Sequence, residues 1–210
     1  MATISSALAS PVRIELIELL AQGSRTVDRL AEMTGLSSSG ASQHLRVLRG
    51  AGLVTSTKKR QFVTYELADD GVLTLLLALR AQAEERVPDL RIAKDRTMKE
   101  NDAVESIDRF TLLNRVTEGR AVVLDVRPAE EFEAGHFPGA VSIPLTELRE
   151  RLRQLPSEQQ IVAYCRGPFC AWSAEAVHTL KDAGFDAVRT DDGVVEWRAA
   201  GVALERTERS

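Results

Sequence analysis

The polar, aperiodic stretch RTMKENDAVESID, residues 96–108, separates two halves with different periods. Before it, apolar residues recur every three or four positions in successive segments, the spacing of amphipathic helices, and a short basic hairpin follows them. After it, short apolar runs alternate with helix-like runs, the pattern of parallel strands joined by crossover helices. One core cannot satisfy both patterns. A chain of 210 residues has room for two small domains. The expected boundaries are a first domain over 1–96, a linker over 97–108 and a second domain over 109–210.

Composition narrows the class. The chain is 44% hydrophobic and 28% charged, as a soluble globular protein is. No apolar run approaches the roughly 20 residues of a membrane span, so no membrane role is expected. The start MATISSALASPVR lacks a basic segment followed by an apolar core, so no signal peptide is expected. Two cysteines are too few for a disulfide framework, which points to a cytoplasmic setting where a close pair is reactive or ligating. Net charge is −4, unevenly spread: +2 over residues 1–100 and −6 over 101–210. Within 41–67, Arg46, Arg49, Lys58, Lys59 and Arg60 face only Glu66, a local basic patch suited to nucleic acid.

In the first half, SPVRIELIELLAQ predicts a helix capped by Ser10 with Pro11 in its first turn. TVDRLAEMTG predicts a second, from Thr26 to a stop at Gly35. A third starts near Ser37 and ends near Gly50–Gly52, with Leu45 and Leu48 inward and Ser39, Ser42, Gln43, His44 and Arg46 outward. LVTSTKKRQFVTYELAD predicts two strands around a basic turn, and residues 71–87 a helix with an apolar first half that Pro88 interrupts. Together these describe a mostly α winged helix-turn-helix. Ser37, Ser39, Ser42, Gln43, His44 and Arg46 are the candidates to meet base edges and phosphates of double-stranded operator DNA, and Lys58, Lys59 and Arg60 the candidates to meet phosphates from the wing.

The segment LSSSGASQHLRVLRGAGLV resembles the recognition region of the ArsR/SmtB transcriptional regulators, over roughly residues 5–95. That resemblance implies a homodimeric repressor released from DNA by an inducer, with the first helix and the helix at 71–87 forming the dimer interface. The run Leu73, Leu75, Leu76, Leu77 and Leu79 is more than one small domain would bury. The chain departs from the metal-sensing members: TVDRLAEMTG has no Cys or His, and no His lies between 71 and 95. Soft-metal ligands are lacking there, so an inducer acts elsewhere or there is none; neither metal nor cofactor is expected.

In the second half, AVVLDVR, AVSIP, QIVAYC and DAVRT predict strands, and PAEEFEAG, TELRERLRQL, WSAEAVHTLKDAG and VVEWRAAG predict helical segments. LDVRPAEEFEAGHFPGAVSIP, VAYC and AGF…DGVVEW resemble the rhodanese family of sulfurtransferases over about 105–205, which implies an α/β domain with a parallel sheet. In that family a cysteine at the end of a central strand accepts sulfane sulfur as a persulfide, and Cys165 falls there. The loop-to-helix turn favours a thiolate through backbone N–H groups and the helix dipole. Gly167 opens that cradle, and Arg166 is assigned to attract an anionic donor. By resemblance Asp125 and Arg127 support the site, with a structural ion pair as the alternative. His136, Gly139 and Ala140 shape loop packing.

The loop differs from the common rhodanese form. Gly167 comes two after Cys165, and Ala171 rather than Arg stands six after it, which argues against a phosphatase or arsenate reductase. Cys170 is the second departure. A thiol there would attack the inner sulfur of a Cys165 persulfide and form a bridge, if the Cα atoms come within about 7 Å. The alternative for Cys170 is a small buried apolar side chain. The expectation is a DNA-binding regulator whose second domain senses reactive sulfur (persulfide or thiosulfate) or redox state through Cys165 and Cys170. The alternative is a sulfurtransferase enzyme with a DNA-binding domain attached.

Overall fold

The computed structural model describes residues 1–90, 104–168 and 170–207. They form two compact units, Met1–Ala81 and Gln82–Ser210.

The first unit opens with α1 (Ala2–Leu8), a short helix the sequence pattern did not announce. α2 (Pro11–Ala21) follows with Pro11 in its first turn. Arg13 ties the two together, its Nε donating to the Ala7 carbonyl at 2.5 Å and Nη2 to that of Ser6 at 2.9 Å. The strand β1 (Arg25–Thr26) leads into α3 (Val27–Thr34). The Thr26 hydroxyl caps α3 by accepting from Arg29 N at 3.3 Å, and Gly35, at φ +68°, ends it in the left-handed region. Ser37 caps α4 (Ser38–Gly50) by accepting from Gly40 N at 3.2 Å. β2 (Val54–Lys59) and β3 (Phe62–Leu67) make the antiparallel wing, and β1 adds to β3. Arg60 at the tip adopts φ +54°.

The core of this unit is built by Leu16, Ile17, Leu20, Leu30, Leu45, Leu48 and Leu73, all buried. Each such side chain contributes about 1.5–3 kcal/mol. In α2, Leu16, Ile17 and Leu20 are buried, while Val12, Ile14 and Leu19 are half-buried. In α5 (Asp70–Arg86) the leucine run splits: Leu73 and Leu76 are buried, while Leu75 and Leu79 are 37% and 41% exposed.

The second unit is a five-stranded, wholly parallel sheet in the order β4-β8-β7-β5-β6, where β4 is Ser106–Ile107, β5 Ala121–Asp125, β6 Val141–Ser142, β7 Gln160–Tyr164 and β8 Ala187–Thr190. α6 (Arg109–Thr117), α7 (Ala129–Ala134), α8 (Leu148–Arg151) and α9 (Trp172–Asp182) connect them, and α10 (Val194–Ala199) follows β8. One face packs Leu124, Ile161, Ala163, Cys165, Val177, Leu180 and Ala187, and the other Val123, Val162, Tyr164, Val188 and Trp197.

The expected linker at 97–108 is shorter at its C-terminal side. Val104 is buried in the core and Ser106–Ile107 pair with β8, while 97–103 lie outside the described residues. α6, which the pattern did not suggest, starts at once, with the Asp108 carboxylate accepting from Thr111 N at 2.9 Å. The continuous helix expected from TELRERLRQL breaks into a 3-10 turn, α8 and a second 3-10 turn. No side-chain cap holds any of the three pieces, and Leu148 alone among 145–154 is fully buried there.

Candidate functional site

Cys165 stands at the C-terminal end of β7, the central strand, where open α/β sheets place their reactive groups. It is disulfide-bonded to Cys170, with Cα atoms 6.2 Å apart. Cys165 is 2% exposed and Cys170 half-buried. The intervening loop folds back on itself, Cys170 N donating to the Gly167 carbonyl at 3.1 Å. α9 begins two residues after Cys170, so the helix N-terminus adjoins the second cysteine rather than the first. Phe169 lies outside the described residues.

The loop is gripped from two sides. Gly167 adopts φ +130°, and a Cβ there would lie 3.1 Å from Glu196 Oε1. Glu196 is held in turn, its carboxylate accepting from Gly193 N at 2.9 Å. On the other side Arg166 makes a two-pronged pair with Glu131, Nη2 to Oε1 at 2.6 Å and Nε to Oε2 at 3.1 Å. Glu131 is wholly buried, and the Arg166 guanidinium stacks 4.8 Å from the Trp172 ring centroid. Arg166, expected as a charge for incoming anions, therefore already has a carboxylate partner.

Asp125 and Arg127 form a fully buried ion pair, Nη2 to Oδ2 at 2.6 Å and Nε to Oδ1 at 3.0 Å. Arg127 Nη2 also donates to the Gly135 carbonyl at 2.8 Å, and the Tyr164 hydroxyl donates to Asp125 Oδ2. Burial lowers the Arg127 pKa, but the Asp125 charge and hydrogen bonds more than offset this and raise it. The Tyr164 phenol is pushed well above its ordinary value, first by burial and then by the Asp125 charge. The pair locks β5, and through Tyr164 it locks the residue before Cys165. His136 bridges its backbone to Glu205 by two hydrogen bonds of 3.0 Å, its Nδ1 lies 2.7 Å from the Phe132 carbonyl oxygen, and its ring stacks on Phe132.

The first unit carries the other surface. Ser39 and Ser42 line a cleft of about 320 Å3 with Thr26, Asp28, Ser38 and Phe62. Ser37 is engaged as the cap of α4, and Ser38 donates to Asp28 Oδ1 at 2.7 Å. Gln43 and Arg46 are exposed on α4 and His44 half-buried; Lys58 and Arg60 are exposed on the wing, whose strand also holds Lys59. Glu131, Gly193 and Glu196 were not among the sequence candidates. Gly193 had a signal in DGVVEW, a glycine opening a short helical run.

A recognition helix with a basic wing, joined to a sheet that ends in a dithiol, defines a helix-turn-helix transcriptional regulator with a rhodanese-like domain. Residues 10–56 match the bacterial regulatory protein arsR family, and residues 111–200 match the rhodanese-like domain. The chain is 38% identical over 205 residues to the HTH-type transcriptional regulator Rv0324 of Mycobacterium tuberculosis, covering 98% of this chain and 90% of that protein. It belongs to the ArsR-family regulators that carry a C-terminal rhodanese-like domain. Among solved structures it is similar to the homodimeric winged helix-turn-helix domain of Mb0332 from Mycobacterium bovis, at 32% identity and a TM-score of 0.40, covering 41% of this chain and 80% of that one. It is also similar to a rhodanese-related protein of Thermoplasma volcanium, at 28% identity and a TM-score of 0.44, covering 50% and 99%. Among the described residues no helix is long and apolar enough to cross a membrane.

Proposed function

We propose that this regulator binds its operator as a homodimer and that reactive sulfur acts on it at Cys165 and Cys170. The Cys165–Cys170 bridge carries the reading, because it puts a resolving thiol within bonding distance of the residue expected to take up sulfur. The Cys165 thiolate attacks the terminal sulfur of a small persulfide, RSSH, giving Cys165–SSH and releasing RSH. The Cys170 thiolate then attacks the Cys165 Sγ, forming the Sγ–Sγ bond and expelling sulfide. The persulfide is the oxidant and is reduced to thiol plus sulfide; the two cysteines lose two electrons. Thiosulfate is the alternative donor.

The DNA-reading residues are Ser39, Ser42, Gln43, His44 and Arg46 on α4, with Ser37 shaping its start, and Lys58, Lys59 and Arg60 on the wing. The exposed Leu75 and Leu79 support a dimer face on α5. For the bridge to regulate, bridged and reduced states must differ in operator affinity. The test is a gel shift on the DNA upstream of the protein's own gene, with and without glutathione persulfide. A Cys165→Ala, Cys170→Ala double variant is expected to bind DNA but ignore the persulfide; a double variant that responds like the native protein overturns the reading.

A further inference from the structure

Arg189 lies near the C-terminal end of β8, the strand beside β7. It is 4% exposed, and its Nε and Nη1 have no hydrogen-bond partner among the described residues. Buried guanidinium nitrogens without hydrogen-bond partners are costly to a fold. Such groups in a natural protein mark a strain reservoir, a redox or catalytic role, or a place for water or an ion.

The sheet says where that partner lies. Arg189 pairs in register with Ala163, two residues before Cys165. Side chains alternate along a strand, so Ala187 and Arg189 share a face with Ile161, Ala163 and Cys165; Ala187, Ile161, Ala163 and Cys165 pack in one cluster. Arg189 Nη2 pairs with Asp191 Oδ1 at 2.7 Å just past the C-terminal end of β8, and Asp191 Oδ2 accepts from the Ser106 hydroxyl of β4 at 3.5 Å. Two other cations are already paired, Arg166 with Glu131 and Arg127 with Asp125. The Asp191 side chain is 40% exposed, but its Oδ1 is buried against Arg189. In the bridged state neither sulfur bears a charge.

We propose that Arg189 is the cationic half of the sulfur site: when the Cys165–Cys170 bridge opens, its vacant N–H groups take the anionic sulfur on Cys165, as thiolate or as the terminal sulfur of a persulfide. This deepens the reading of the cysteine pair given above and rests on it. Arg189 thereby favours the open form and sets how readily Cys165 attacks.

The experiment is the rate of iodoacetamide alkylation of Cys165 at about pH 6 in a Cys170→Ala background, mapped by mass. Arg189→Gln is expected to slow it about tenfold, and Arg189→Lys to restore part of the rate, since an opposite charge a few ångströms away shifts a thiol by one unit or more. Asp191→Asn, at a half-exposed loop position, moves the rate the other way by releasing the guanidinium. A folded Arg189→Gln protein alkylated at the unaltered rate overturns the inference. If that variant does not fold, an unchanged rate in Asp191→Asn overturns it. Failure here with persulfide still reaching Cys165 leaves the reading of the cysteine pair standing. Failure of that reading shows instead as a Cys165 that no persulfide modifies.

Discussion

Gly193 sits against the cysteine loop so closely that a Cβ on it would lie 2.7 Å from Gly167 N and 2.9 Å from the Cys165 carbonyl oxygen. The backbone that would be struck is itself fixed between β7 and α9. Gly193→Ala therefore forces the loop and the start of α10 apart, although φ −108° is open to any residue. The expected cost is about 1–3 kcal/mol in urea unfolding, with the cysteine bridge becoming easier to reduce.

Asp125 neutralises a guanidinium that has no access to water. Replacing it with Ala leaves Arg127 charged and buried, and a loss of about 3–5 kcal/mol is expected, read as a lower urea midpoint. A conservative Asp125→Asn is expected to lose less, because it keeps an acceptor for Arg127 and Tyr164.

Tyr164 gives the fold a signature at high pH. Its folded pKa is raised, so the unfolded chain loses the phenolic proton first as pH climbs past about 10. Its contribution is complete below that pH and is lost as pH rises toward the folded value. Tyr164→Phe removes this titration, and its stability is expected to fall less steeply above pH 10 than that of the native protein, measured by urea unfolding at stepped pH.

The two faces of DNA reading separate by salt. Lys58→Ala is expected to weaken binding to every sequence alike and to reduce the slope of log affinity against log salt by about 1. Gln43→Ala is expected to cost about 1–3 kcal/mol on one operator position and leave the slope unchanged. Titrations at three salt concentrations check both.

Leu79 tests the dimer face. Leu79→Glu places a charge on an exposed apolar stripe of α5, so the unit is expected to keep its helical circular dichroism while the dimer dissociates in sedimentation.

The first unit was legible because its punctuation is local: Thr26, Gly35 and Ser37 act within three residues of where they stand. The cysteines, Asp125 and Arg127 were legible through spacing and resemblance. α1 was not, since ATISSAL carries no side-chain cap and buries Ala7 alone. Arg166 reads in the sequence as a charge for an anionic donor because its partner, Glu131, is 35 residues away, and nothing in AEEF says which glutamate turns inward. Arg189 did leave a trace. DAVRT reads as a strand of a sheet covered on both faces, and a charged residue inside such a strand marks a polar task. Its pairing with Ala163, two residues before Cys165, follows from sheet order, which a single sequence does not state.

The most direct measurement uses one sample of reduced protein, treated briefly with one equivalent of glutathione persulfide, for both intact mass and operator affinity. The account predicts loss of two hydrogens mapped to a Cys165–Cys170 bridge, together with a roughly 5–150-fold change in operator affinity. A bridge or persulfide at Cys165 with unchanged affinity would contradict it, and would leave a sulfur-handling domain that does not speak to the DNA.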